Sequence, residues 1–166
     1  MRIVVRALVV TLSLVPSARA EAPSVEHQPS PCTLPDRLST LCATITDDGQ
    51  VEASRLYFRA AGEKFYSFVD MEFGGLNFCG TIPAARGGKV QAIEYYVQAV
   101  DDEYESQRTS TFLMTVQPEG VCEFPPVERD PAKATGIVVK ATSQKQGKKL
   151  PSEFVATGVS FVPVAR

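Results

Sequence analysis

The chain has no tryptophan and only one histidine among its 166 residues. A Ser-His-Asp or Cys-His device needs a histidine on the folded scaffold, and His27 stands in a polar, proline-bearing lead-in. No G-x-S-x-G elbow and no glycine-rich phosphate loop is present. The neighbouring acids Asp47-Asp48 and Asp101-Asp102 would point to opposite faces of a strand, or be solvated in a loop, so neither makes an acid/base couple. The expectation is a protein that is not an enzyme and needs no cofactor. A basic excess is missing as well: 17 Lys and Arg stand against 19 Asp and Glu, which excludes the electrostatic footprint of a nucleic-acid binder. No apolar run approaches the ~20 residues that span a bilayer. No two cysteines lie at C-x-x-C spacing, which excludes the usual zinc arrangements. Without tryptophan, a sugar-stacking platform would have to be built from tyrosine.

The N-terminus suggests export. Arg2 and Arg6 precede a short apolar stretch, Ala7 to Val15, which Pro16 ends before the small-x-small pattern Ala18-Arg19-Ala20. This is the layout of a signal peptide, residues 1–20, with cleavage expected after Ala20. No cysteine follows the apolar run until Cys32, which argues against lipid anchoring. Residues 1–20 carry three arginines and no acid, so the mature chain has 14 basic and 19 acidic residues and a formal charge of −5. A periplasmic or extracellular protein is expected, not membrane-spanning once the leader is removed. Cys32, Cys42, Cys79 and Cys122 form an even set in an exported chain, which means two disulfides with three possible connectivities.

Residues 21–31, EAPSVEHQPSP, lack large apolar groups beyond one valine and suggest a linker. From about 38 to 117 the pattern is β-type: LSTLCATIT, SRLYFR, KFYSFVDM, LNFCGTIP, VQAIEYYVQAV and RTSTFLMTV, separated by Gly-, Asp- and Pro-bearing turns. VQAIEYYVQAV could imitate a helix, but its aromatic and β-branched content and period of two favour strand. Six strands at this spacing point to a β-sandwich. The tail, 123–166, offers TGIVVKATS and EFVATGVSFVPV as two more short strands that must pack on something.

The series CATITDDGQV, SRLYFRAAG, FVDM, FCGTIP and IEYYVQAVDDEYES resembles the Ig-like, fibronectin type III-like modules of bacterial exported proteins. The resemblance covers about residues 38 to 117 and implies an all-β sandwich of about seven strands over 32–122, with a C-terminal β extension. It departs from those modules in lacking a core tryptophan and in standing without a tandem copy. Laid on that fold, Cys32 and Cys122 share one pole and Cys42 and Cys79 sit on neighbouring strands with sulfurs outward, which implies the pairs Cys32–Cys122 and Cys42–Cys79. The same placement implies that Asp47, Asp48, Asp101 and Asp102 gather at the other pole, where oxygen-rich loops could hold calcium or merely cap turns. It also gives Tyr95 a corner role, its hydroxyl bonded to backbone.

Read with period two, Leu41, Ala43, Ile45, Leu56, Phe58, Val69, Met71, Phe78, Ile82, Ile93, Tyr95, Val97, Ala99, Phe112, Met114 and Val116 form the expected core. The opposite face then exposes Tyr57, Tyr66, Phe68, Tyr96 and Leu113, beside Arg55 and Arg59. Such a patch exceeds what a soluble monomer normally leaves uncovered. Either the tail strands fold over it, or a partner docks on it, or the register slips by one residue. The function expected is a non-catalytic interaction module of the cell envelope, docking to an unidentified protein through a sheet face or loop pole. The alternative is a ligand-binding module for carbohydrate or Ca2+.

Overall fold

The computed structural model describes residues 21–118, 122–133 and 136–165; the expected leader, 1–20, lies outside the described residues. Two sheets face each other. The smaller has the order β1-β3-β7-β6, formed by β1 (Ser24–Glu26), β3 (Leu38–Thr46), β7 (Phe78–Ile82) and β6 (Glu72–Phe73), while β11 (Val127–Arg129) also pairs with β3. The larger has the order β13-β12-β5-β4-β8-β10-β2. Its strands are β13 (Val159–Val162), β12 (Ile137–Ala141), β5 (Ser67–Asp70), β4 (Val51–Ala60), β8 (Ala92–Asp101), β10 (Phe112–Val116) and β2 (Cys32–Thr33). β9 (Ser106–Arg108) pairs with β8. The protein is an all-β sandwich.

Strict alternation builds the core. On β4, Leu56 and Phe58 are fully buried while Arg55, Tyr57 and Arg59 turn outward; on β8, Ile93, Tyr95, Val97 and Ala99 are buried while Glu94, Tyr96 and Gln98 are only half so. β3 contributes Leu41, Ala43 and Ile45 from the facing sheet. At Gly80 the sheets approach closely: a Cβ there would lie 3.1 Å from Met71 and 3.3 Å from both Leu56 and Val69. Of the expected core, Phe78 and Phe112 are half-buried instead of buried, because each begins its strand at the rim of the sandwich.

Two disulfides brace the sandwich. Cys42 and Cys79 are directly paired across β3 and β7, with a Cα separation of 4.1 Å, and Cys32 is bonded to Cys122 across 90 residues of chain. These are the pairs that the placement on the sandwich implied. Disulfides persist in oxidising compartments. Among the described residues no helix is long and apolar enough to cross a membrane.

Three expectations need correction. Residues 21–31 are not a free linker: Ser24–Glu26 adds an antiparallel strand to β3, because Val25 can pack on the core while its neighbours face solvent. The described residues of 32–122 hold nine strands, not about seven, because 64–73 divides at Met71 and short pieces form at Cys32–Thr33 and Ser106–Arg108. The tail does not cover the outer aromatic face. Instead β12 pairs with the free edge of β5 (Lys140 opposite Phe68) and β13 runs parallel to β12. Exposed strand edges need partners, so the tail extends the sheet sideways. A parallel pair needs a long crossover, here residues 142–158, which carries Phe154 into the end of the core at a ring-centroid distance of 5.2 Å from Phe58. Of the second expected tail strand, only Val159–Val162 is strand.

Candidate functional site

The outer face of the larger sheet is a cross-strand aromatic row. Register places Phe68, Tyr57 and Tyr96 side by side on β5, β4 and β8. Tyr57 and Tyr96 stack at 4.7 Å with an interplanar angle of 8°, Phe68 lies 5.2 Å from Tyr57, and Tyr66 meets Tyr96 edge-on at 5.1 Å. Directly opposed aromatic pairs of this kind are among the better cross-strand contacts. Burial and the adjoining Tyr57 push the Tyr96 hydroxyl up from its ordinary range, and Arg108 opposes them.

Cations bracket the row. The Arg59 guanidinium lies 4.3 Å from the Tyr66 ring centroid, Arg55 5.1 Å from that of Phe68, Arg108 5.2 Å from that of Tyr96, and the Lys140 ammonium 5.8 Å from Phe68. Cation–π attraction orients such side chains over ring faces. Arg59 also donates to Glu94 Oε2 through Nε (2.8 Å) and Nη2 (2.5 Å), and Lys140 pairs with Asp70. The ring faces are therefore largely occupied by neighbouring rings and cations, and what the surface offers outward is guanidinium edges, tyrosine hydroxyls and Leu113, 58 % exposed.

All six residues expected on this face, Arg55, Tyr57, Arg59, Tyr66, Phe68 and Tyr96, are brought together there. Arg108, Gln98 and Lys140 were missed as members. Period two carried past the loop into Ser106–Arg108 would have added Arg108, whereas Lys140 depends on a tail register that the sequence leaves open.

A second cluster lies where the lead-in meets the sandwich. His27 Nδ1 is 2.8 Å from the Cys42 carbonyl, and its Nε2 is 3.1 Å from the Tyr95 hydroxyl, which also accepts the Ser30 amide at 2.9 Å. A carbonyl only accepts, so Nδ1 carries the proton and Nε2 accepts from Tyr95 O–H. His27 is thus on the scaffold after all, but its bonds go to a backbone carbonyl and a tyrosine. The Tyr95 hydroxyl is bonded to backbone, but to the Ser30 amide of the lead-in, 65 residues away, and not within its own corner; burial pushes its pKa up to about 12 against that amide. Burial lowers the His27 pKa below 6.5, and the Cys42 carbonyl only partly offsets it. A depressed histidine stabilises the fold fully above pH ~6.5 and loses that contribution as pH falls through its lower folded value. Stability should accordingly decline on going from pH 7 to 5, and His27→Gln should flatten that decline in urea titrations; parallel curves would refute it. Tyr95→Phe strands the buried Ser30 amide, at an expected ~1–3 kcal/mol.

The acids do gather at one pole. Asp47, Asp48, Asp101 and Asp102 line a shallow depression of about 210 Å³ with Gly49 and Glu103. Asp101 is buried and its Oδ1 accepts the Glu103 and Glu105 amides, Asp47 accepts the Gly49 amide, and Asp102 the Gln50 amide. Asp47 and Asp101 cap their own loops, and Asp102 ties its loop to the facing one at Gln50. Among the described residues no three metal-ligating side chains converge.

No family model matches the chain, and no curated protein matches it. Among solved structures, an engineered protein from a structural genomics consortium is similar at TM-score 0.44 and 10% identity, over 57% of this chain and 20% of that one. The chain thus spans about a fifth of that structure's length, a likeness too slight to inform function.

Proposed function

We propose that this protein is a non-catalytic interaction module of the cell envelope, exported to the periplasm or beyond, which docks a protein partner on the outer face of its larger sheet. The carrying observation is the row Phe68–Tyr57–Tyr96, stacked, bracketed by arginines and left open by the tail. Tyrosine and arginine are the residue types enriched at interface hot spots. Sugars stack on open ring faces, and here those faces are already taken by Arg55, Arg59, Arg108 and each other, so a protein partner fits better than a carbohydrate. The Ig-like, fibronectin type III-like assignment belongs to the same proposal. It is supported by the order β1-β3-β7 opposite β5-β4-β8-β10, the arrangement ABE opposite C′CFG.

The test places a photo-crosslinking benzoylphenylalanine at Leu113 in cells that export the protein. An adduct of discrete mass is expected, and Tyr57→Ser with Tyr96→Ser should abolish it while the fold, checked by thermal melting, persists. An adduct indifferent to those substitutions, or glycan binding that depends on the same tyrosines, would overturn the reading.

A further inference from the structure

On that docking reading, the row next to the aromatics acquires a chemistry of its own. Register aligns Arg55 on β4, Gln98 on β8 and Arg108 on β9, all outward. Two strand spacings separate the arginines, about 10 Å. The four cations of this face are not equivalent. Arg59 is committed to Glu94, and Lys140 to Asp70. Arg55 has Asp70 only at 3.7 Å, too far for a hydrogen bond, and its Nε is buried without a partner. Arg108 is exposed and makes no ion pair among the described residues. Each of these two guanidiniums is steadied on a ring of the adjoining row, Arg55 on Phe68 and Arg108 on Tyr96, with N–H donors left over. A planar fork held on an aromatic ring has already lost much of its freedom, and so binds a carboxylate at lower entropic cost.

We propose that Arg55–Gln98–Arg108 is a carboxylate-binding row, and that the partner is a polypeptide presenting two acidic side chains about 10 Å apart next to apolar ones that reach the Phe68–Tyr57–Tyr96 shelf. Charge complementarity selects this occupant. The whole chain is acidic, with a net charge of −2, yet this face collects Arg55, Arg59, Arg108 and Lys140 against Asp70 and Glu94. The like charge of the face opposes stacking it on the same face of a second copy. The apolar shelf beside the cations matches a protein side chain better than a lipid headgroup or a free anion.

The experiment measures fluorescence anisotropy of a labelled helical peptide with two Glu seven residues apart, about 10 Å along one face, and Phe at the intervening i+3 and i+4 positions, and of its Glu→Gln counterpart, against the disulfide-bonded protein. The acidic peptide should bind, more weakly as salt rises. The Gln peptide, and the variant Arg55→Gln with Arg108→Gln, should each weaken binding by about tenfold or more. Equal binding of both peptides, retention of affinity in the double variant, or a stronger response to phosphatidylglycerol vesicles or inorganic phosphate would overturn the row. Concentration-dependent self-association in sedimentation, abolished by the same arginine changes, would overturn it too, by assigning the acids to the Asp47–Asp102 pole of a second copy. The Leu113 crosslink separates the two levels. An adduct lost with the tyrosines but retained with both arginines changed leaves the docking face standing and removes the carboxylate row. Loss of the adduct in both variants, with melting unchanged, supports both.

Discussion

A chain ending at Cys122 should bind hydrophobic dye, lose its near-ultraviolet dichroism and unfold without a cooperative transition. The cause is not exposure of the aromatic face, which the tail leaves open, but loss of the tail's own contribution to the core. Val139, Ala141 and Phe154 are buried, and Phe154 closes the end of the sandwich against Phe58 and Ala85. Removing a buried phenylalanine side chain alone costs ~3–5 kcal/mol, and a domain has only ~5–15 kcal/mol in total. Truncation also bares the β5 edge, which β12 covers, and removes the Glu128 carboxylate that accepts the Leu34 amide at 2.8 Å. The single variant Phe154→Ala isolates the plug: a loss of ~3–5 kcal/mol in urea unfolding is expected. A truncated protein that melts like the full chain and stays dye-free would show the tail to be an ornament.

Replacing Cys32 and Cys122 with serine should lower stability by about 4.6 kcal/mol, against about 3.9 kcal/mol for the Cys42–Cys79 pair, on the chain-entropy estimate. The ordering follows from the 90-residue and 37-residue separations. Local packing widens the gap. Cys32 is 4 % exposed and opens β2, which pairs in parallel with β10, while Ser30 Oγ donates to the Phe124 carbonyl at 2.6 Å just past Cys122. Freed from the bridge, both flanking segments lose the anchor that holds those bonds. Urea unfolding of the two double-serine variants measures the difference; a larger loss at Cys42–Cys79 would contradict it.

What could be read from sequence is what alternation dictates. Leu56 and Phe58 inward with Tyr57 outward, and Ile93, Tyr95 and Val97 inward with Tyr96 outward, follow from period two along long strands, so the core and the aromatic face were both legible. The lead-in was not, because Ser24–Glu26 offers only Val25 as an apolar signal, and what fixes it is the ladder to β3 with the bonds of the His27 ring and the Ser30 amide. The tail's place was illegible for another reason. Its strands carry apolar residues on both faces, so the pattern fixes neither register nor direction, and a parallel pair joined by a crossover is a long-range outcome that local turns do not announce. The row Arg55–Gln98–Arg108 needed the β8–β9 register, set by a loop that Asp101 caps.

The position of the Cys32–Cys122 bridge also has a mechanical meaning. It lies between two entering segments and brackets nine of the strands. Tension applied at Glu21 and Ala165 would peel β1 and then β11 to β13, and would stop at the covalent link. The slack available is that of residues 21–31 and 123–165, on the order of 190 Å when drawn straight. Everything between the two cysteines would bear no direct load, yet it would lose the packing of Val139, Ala141 and Phe154 once the tail was drawn out. The bridge therefore caps how far the chain can be drawn out, while the binding surface stays assembled only under tension too weak to strip β12 from β5.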